Sequence, residues 1–230
     1  KIINSKNKNK LVCLTAYSKP FAKILDNHCD IVLVGDSLAT AMLGMKDTKQ
    51  INIDTMIQHA ISVRSNLNKA VCVVDMPANS YKNIKQAKQN AKKIFNKTKC
   101  DAVKLECDGK NYKIIKSIVD IGIPVMGHIG FTPQHFKNFK VQGVLDNERK
   151  KLLEQAVKNQ EAGVFSIVLE CIRGSTAKAV TKLLKIPTIG IGASIHCDGQ
   201  ILVTDDMLGL SGFYPKFIKK FANLNNIIEI

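Results

Sequence analysis

Seven residues that can carry charge, protons or hydrogen bonds stand at the ends of short apolar runs. Asp36 and Ser37 close "DIVLVGDS" (30–37), Asp75 lies in "AVCVVDMP" (70–77), and Lys104 and Glu106 lie in "DAVKLEC" (101–107). His128 lies between glycines in "IPVMGHIG" (123–130), and Glu170 ends the most apolar run, in "FSIVLEC" (165–171). Carboxylates brought together repel and raise one another's pKa unless a cation neutralises them. Lys104 can pair with one of these acids but hardly with three, which leaves a divalent metal as the further partner. Oxygen donors suit a hard cation, and Mg²⁺ commonly takes one or two protein carboxylates and leaves its other positions to water and substrate. Asp36 and Asp75 are the first candidate ligands, with Glu106 bound directly or through water. Thiols and imidazoles do not cluster beside them, which argues against zinc.

Desolvation at the end of its strand would raise the pKa of Glu170 towards a range where it can take and return a proton. Its alternative is an ion pair with a barrel lysine. His128 has small neighbours that let backbone or substrate approach, and a hydrogen-bonded structural imidazole is an equal alternative. A carboxylate-held metal, a lysine and a basic carboxylate suit enolate chemistry. The metal would bind the carbonyl oxygen of a 2-oxo acid while a neighbouring C–H proton leaves. Spacing and charge do not say what the enolate then attacks. His28, His59, His135 and His196 fall in loop or helix patterns and receive no role.

This chemistry requires the strand ends to meet. Eight β-branched runs recur, at 11–17, 30–37, 70–77, 101–107, 123–130, 165–171, 186–193 and 200–206. Segments with helical spacing separate most of them, such as 53–67, which Asn52 or Asp54 can cap, and 149–163, which Gly163 can end. Alternation of strand and helix implies parallel pairing, and continuous apolar strands imply helices on both faces. The expected fold is a single-domain (β/α)₈ barrel over residues 1–230, in which all strand C-termini converge on one mouth. Tyr17, Gly190 and Gly192 would join the acids there. An open doubly wound sheet is the rival, disfavoured because no glycine fingerprint follows the first run. The eighth unit is the least regular, since few residues separate runs seven and eight.

The net charge of +15 invites a nucleic-acid reading. Nearly all of it is lysine, however, with arginine only at Arg64, Arg149 and Arg173, and no aromatics interleave for base stacking. Arginine is the residue suited to bidentate contacts with phosphates and bases. Solvated helix faces explain the charge, and an anionic small substrate would also benefit from the field. The seven cysteines form an odd, scattered set without a C-x-x-C pair, the pattern of buried thiols in a reducing compartment. No apolar run reaches the roughly 20 residues of a membrane helix, and no secretory signal is read at the N-terminus. The expectation is a cytoplasmic protein with no nucleic-acid or membrane partner.

The motifs "LTAYSKPFAKI", "VGDSLATAMLG", "VVDMPANSY", "VKLE", "PVMGHIGFTPQ", "KVQG", "IVLEC", "IPTIGIGA" and "CDGQILV" run in order from about residue 11 to 220. Together they resemble the 3-methyl-2-oxobutanoate (ketopantoate) hydroxymethyltransferase family of pantothenate biosynthesis. The resemblance implies a (β/α)₈ barrel that transfers a one-carbon unit from 5,10-methylenetetrahydrofolate to 3-methyl-2-oxobutanoate, giving 2-dehydropantoate through a Mg²⁺-stabilised enolate. It implies Asp36, Asp75 and Glu106 as metal ligands, and Asp36, Ser37, Asp75 and Lys104 as oxo-acid contacts. Glu170 would be the proton acceptor, with Lys104 and His128 completing the catalytic group. A homo-oligomer, a decamer in the family, is also implied. Departures from the family pattern are Ala39 where Gly is usual, Ala78 after "DMP", a shorter "HFKNF" segment, "KLECDG" for "KLEGG", and a short C-terminal extension ending "NNIIEI". Two other readings remain open. One is a sibling barrel that makes or breaks a C–C bond through a Mg-bound enolate; the other is a basic nucleic-acid-binding protein, against which the acidic rim argues.

Overall fold

A computed structural model describes residues 2–107, 109–136, 139–212 and 215–228. Each apolar run becomes a short parallel strand, and the strands close into a barrel in chain order. They are β1 (Leu11–Thr15), β2 (Ile31–Val34), β3 (Val71–Asp75), β4 (Ala102–Glu106), β5 (Val125–Gly130), β6 (Ser166–Glu170), β7 (Thr188–Ile191) and β8 (Gly199–Leu202). The expected (β/α)₈ barrel is therefore present. The helices are α1 (Lys19–Leu25), α2 (Leu38–Ala41), α3 (Ile53–Arg64), α4 (Ile84–Thr98), α5 (Tyr112–Val119), α6 (Asp146–Glu161), α7 (Gly174–Leu183), α8 (Thr204–Met207) and α9 (Asn225–Ile228). No helix of the described residues is long and apolar enough to cross a membrane.

Strand side chains alternate between the two faces of a closed sheet. One parity points inward, where Leu11, Cys13, Ile31, Leu33, Val73, Ala102, Met126, Val168, Ile189 and Ile201 fill the barrel. The other parity packs under the helices, as Val32, Val34, Val74, Val103, Leu105, Ile129, Ile167 and Leu169 do. Counting on from the inward residues in steps of two reaches Asp75 from Val73, Lys104 and Glu106 from Ala102, His128 from Met126, and Glu170 from Val168. The period that builds the core thus aims the chemistry-bearing side chains into the barrel mouth.

Local signals fix the helix ends. Asn52, not Asp54, caps α3, its Oδ1 accepting from the Asp54 and Thr55 amides at 3.0 and 2.9 Å. Helix α6 starts earlier than the apolar spacing suggests, because the Glu148 side chain reaches back to accept from the Val144 amide at 3.0 Å. Gly163, at φ +91°, follows its last turn as expected. The irregularity expected of the eighth unit falls on the seventh, because residues 192–198 join β7 to β8 without a helix. β8 nevertheless pairs with both β7 and β1, which closes the barrel.

Asp198, in that helix-free connection, replaces the missing packing with hydrogen bonds. It accepts from the Thr188 amide at 2.9 Å, the Thr188 hydroxyl at 3.1 Å, the Asn7 amide at 3.2 Å and Lys6 Nζ at 2.8 Å. Burial pushes its carboxyl up, but the Lys6 hydrogen bond and the amide donors outweigh that and leave it below the usual range. A carboxylate with a lowered folded-state pKa contributes stability at neutral pH that is lost as pH falls through the folded value. Asp198→Asn is expected to destabilise the barrel by about 1.5–3 kcal/mol, the range for hydrogen bonds to a charged group. Urea unfolding at neutral pH measures it, and the difference from the parent should shrink in acid.

Candidate active site

The register sets the rim neighbours. Asp75 pairs with Lys104 across β3 and β4, Glu106 with His128 across β4 and β5, and Gly130 with Glu170 across β5 and β6. As the four apolar residues Ile31 to Val34 suggest, β2 ends at Val34, and Asp36 and Ser37 follow in the turn that enters α2. This turn brings the Asp36 amide onto Asp75 Oδ2 at 3.0 Å. Lys104 Nζ donates to the other oxygen, Asp75 Oδ1, at 2.6 Å. Both oxygens of Asp75 are therefore engaged by the protein.

Asp36, Asp75, Lys104, Glu106 and His128 are all buried. Burial would drive the Lys104 ammonium to shed its proton, but the charges of Asp75 and Asp36 and the Asp75 hydrogen bond outweigh it and hold Lys104 above the usual lysine range. Asp36 is pushed up to about 7, by burial first and then by the charge of Asp75. Burial and the charge of Asp36 raise Glu106 well above the ordinary carboxyl value. Glu170 rises to about 8 through burial, with Lys104 pulling down and Asp75 pushing up. One ammonium faces four acids, so the site holds more buried carboxyl groups than cations, and burial and mutual repulsion favour their protonated forms until a further cation is bound. The Lys104–Asp75 pair was the alternative reading for one acid, and it accounts for one.

His128 Nε2 lies 3.1 Å from Glu170 Oε2, and Nδ1 lies 4.0 Å from Glu106 Oε1. Among the described residues neither ring nitrogen meets full hydrogen-bond geometry, although the Phe131 backbone is near enough to favour the protonated ring. Burial, with the Lys104 charge beside it, holds the imidazole well below its usual pKa and so neutral. Gly130, at φ +100°, lets β5 approach β6 here: a Cβ would press into the Glu170 carbonyl oxygen. Ser37 Oγ is 2.7 Å from the Tyr17 hydroxyl, and His59 Nδ1 holds the Tyr17 carbonyl at 2.7 Å. Those contacts give a positional part to Tyr17, which the rim reading included, and to His59, which it did not.

These groups surround a cavity of about 110 Å³ whose inner wall is apolar, formed by Leu33, Val168, Ile191 and Ile201. A second cavity, of about 310 Å³, shares Ser37, Thr48, Pro133 and Glu170 with the first and carries Phe131, Phe136, Phe139 and Phe217. The Phe131 and Phe139 ring centroids are 4.4 Å apart, and the Phe139 and Phe217 rings stack at 6.2 Å. Gln134, which sequence reasoning passed over, stands among the acids. Its Nε2 donates to Asp36 Oδ2 at 2.8 Å and its amide donates to Glu106 Oε2 at 3.0 Å. Its place inside the long "GHIGFTPQ" motif was the available signal.

Among the described residues, no group of three His, Cys, Asp or Glu side chains is drawn together closely enough to enclose a metal by itself. The donor set nevertheless fits a hard cation that takes two carboxylates and completes its shell with water and substrate, since buried acids here outnumber cations. Of the departures, Ala39 is fully buried in α2 and its methyl joins the core. Ala78 borders a polar cavity behind Gln134. Cys107, in "KLECDG", donates to Asn159 Oδ1 at 2.7 Å. Asp108, Lys137 and Asn138 of the altered segments, and Glu229 and Ile230 of the C-terminus, lie outside the described residues.

A family model described as ketopantoate hydroxymethyltransferase matches residues 1–230. The chain is 53% identical over 227 residues to the 3-methyl-2-oxobutanoate hydroxymethyltransferase of Pelagibacter ubique (strain HTCC1062), covering 99% of this chain and 88% of that protein. It is 50% identical over 227 residues to the enzyme of that name from Anaplasma marginale (strain Florida), with 97% and 82% covered. The counterpart from Thermosipho africanus (strain TCF52B) is 47% identical over 234 residues, with 99% and 88% covered. Among solved structures, oxaloacetate acetylhydrolase in complex with oxalate superposes with a TM-score of 0.68 at 11% identity, covering 100% of this chain and 82% of that one. Phosphonopyruvate hydrolase complexed with oxalate and Mg²⁺ gives 0.67 at 10% identity, with 87% and 78% covered, a likeness of fold alone. With the motifs in their places on a closed barrel and half of all positions shared with named relatives, the chain belongs to the ketopantoate hydroxymethyltransferase family.

Proposed function

We propose that the barrel rim performs the family's hydroxymethyl transfer to 3-methyl-2-oxobutanoate with Glu170 as the proton acceptor, Lys104 at the substrate carboxylate, and Mg²⁺ held by Asp36 and Asp75. Glu106 would bind the cation directly or through water. When bound, the cation supplies positive charge to the carbonyl end of the oxo acid, where negative charge develops. The observation that carries this reading is the charge balance at the cavity: buried Asp36, Asp75 and Glu106 face one ammonium, with Glu170 apart from them beside a neutral imidazole.

Glu170 takes the proton from C3, and the electron pair left there forms the new bond to the one-carbon unit; the two carbon–nitrogen bonds that held that carbon in the folate break, a water supplies the hydroxyl, and tetrahydrofolate leaves with the two protons released. The apolar inner wall suits the branched alkyl end of the substrate and keeps water from the reacting carbon. His128, kept neutral, neither quenches the Glu170 charge nor competes for the substrate carboxylate, and a small turn of its ring lets Nε2–H steady Glu170 Oε2. Lys104 keeps its proton because acids face it, so it remains a fixed positive charge for an anionic substrate. Ser37, held by Tyr17, offers a hydroxyl at the same mouth.

The donor in this reading is 5,10-methylenetetrahydrofolate. The phenylalanine-lined second cavity suits its flat rings, because aromatic faces stack in offset or tilted geometries, and it opens at Glu170 where the carbon must arrive. Self-association and a cytoplasmic location belong to the same reading, the latter in keeping with seven buried thiols.

The reading is tested by proton exchange at C3 without any folate. In D₂O the protein with Mg²⁺ should wash deuterium into 3-methyl-2-oxobutanoate, seen as loss of the C3 proton signal, and EDTA should stop it. Absence of exchange with Mg²⁺ present, in protein that still forms 2-dehydropantoate, would overturn the Glu170 assignment.

A further inference from the structure

The transfer chemistry above leaves Gln134 and Tyr81 without a part, yet they are wired into its acids. Gln134 Nε2 donates to Asp36 Oδ2 at 2.8 Å and to the Met76 carbonyl at 3.2 Å. The Tyr81 hydroxyl donates to Gln134 Oε1. The Gln134 backbone amide donates to Glu106 Oε2 at 3.0 Å. A primary amide has two N–H donors and one carbonyl acceptor, and here every one is engaged. The orientation follows from the acceptors: a flipped amide would set its carbonyl oxygen against the Asp36 carboxylate and the Met76 carbonyl, which cannot donate to it.

The consequence falls on the two carboxylates. One oxygen of Asp36 and one of Glu106 are held by the same residue, which leaves Asp36 Oδ1 and Glu106 Oε1 for other partners. Asp75 belongs to the same frame, because its Oδ2 accepts from the Asp36 amide at 3.0 Å. Tyr81 is buried and closes the frame from outside, next to the polar cavity behind Gln134. Carboxylates that ligate metals are commonly held by such partners, whose loss weakens metal binding.

We propose that Tyr81 and Gln134 form a positioning pair that fixes which oxygens Asp36 and Glu106 offer to a divalent cation, and so sets the affinity of the site for that cation. The inference rests on the metal assignment made above. Neither residue touches the reacting atoms; both act through the carboxylates.

The test is Mn²⁺ binding, followed by electron paramagnetic resonance on protein without oxo acid or folate. Gln134→Met keeps the bulk and removes the side-chain hydrogen bonds; it should weaken Mn²⁺ binding about 10–100-fold. Tyr81→Phe removes one hydroxyl and leaves the amide in place; it should weaken binding roughly 5-fold, as loss of a single hydrogen bond does. Unfolding midpoints in EDTA, taken alongside, report the structural cost separately. At saturating Mn²⁺ the Tyr81→Phe kcat should return close to the parent value. Parent-like Mn²⁺ affinity in both variants, with or without a lowered midpoint, makes the pair a structural tie and overturns the inference. A parent protein that binds no Mn²⁺ removes the metal assignment, and this inference with it, whereas parent binding with unaffected variants sinks the inference alone.

Discussion

Replacing Glu170 by Gln is expected to lower C3 proton exchange by roughly 10²–10⁴-fold, the usual contribution of a positioned general base. The amide is nearly isosteric and cannot accept the proton, while the strand, the Gly130 close approach and the neighbouring His128 stay as they are. Mass spectrometry of 3-methyl-2-oxobutanoate incubated in D₂O with Mg²⁺ gives the rate directly. Retention of the parent rate would assign the proton to another group. The same variant has a pH signature in the metal-free protein. Folded Glu170 holds its proton up to about 8, against an ordinary value of 4.5, because burial disfavours the anion. In that window the folded chain binds more protons than the unfolded one, so stability falls as pH rises across it. Glu170→Gln removes this contribution. Its urea midpoints in EDTA at about pH 5.5 and about pH 8.5 should therefore lie closer together than those of the parent.

Lys104→Met should destabilise the metal-free barrel by about 3–5 kcal/mol, the cost of removing one partner of a buried ion pair. Asp75 Oδ1 loses its donor at 2.6 Å, and Asp36 loses the cation that most lowers its pKa. Urea unfolding in EDTA measures the loss. Mg²⁺ should then raise the stability of the variant by more than it raises the parent, because a divalent ion supplies the charge that is missing. In turnover, KM for the oxo acid should rise, since the substrate carboxylate also loses its counter-charge. Equal stability of variant and parent in EDTA would mean that the neighbouring acids take up protons without strain when the ammonium is gone.

The strands and the rim were legible because both depend on local patterns. Four to six residues of β-branched character mark a strand wherever it lies, and the period of two carries Val73 to Asp75 and Ala102 to Glu106 on one face. The start of α6 was less legible, because Glu148 acts backward on amides before the apolar spacing begins. The helix-free link between β7 and β8 showed in the sequence as a shortage of residues, but the four hydrogen bonds of Asp198 that make it workable did not. His128 could be read equally as structural or chemical from "MGHIG". The structure tilts that balance by setting Nε2 3.1 Å from Glu170 Oε2, at the mouth of the cavity.

What the sequence determined by itself is the kind of barrel and the identity of the groups at its mouth. Apolar periodicity sets which side chains face inward, and the strand ends set which of those meet solvent. What only the tertiary structure decided is how the meeting groups divide their bonds: Lys104 goes to Asp75, the Asp36 amide goes to the other oxygen of Asp75, and Gln134 reaches from the loop after β5 to hold Asp36 and Glu106 together. Those choices join residues as much as 98 positions apart. No local pattern encodes them, because they follow from barrel closure, which brings all the strand ends to one mouth and sets the distances there.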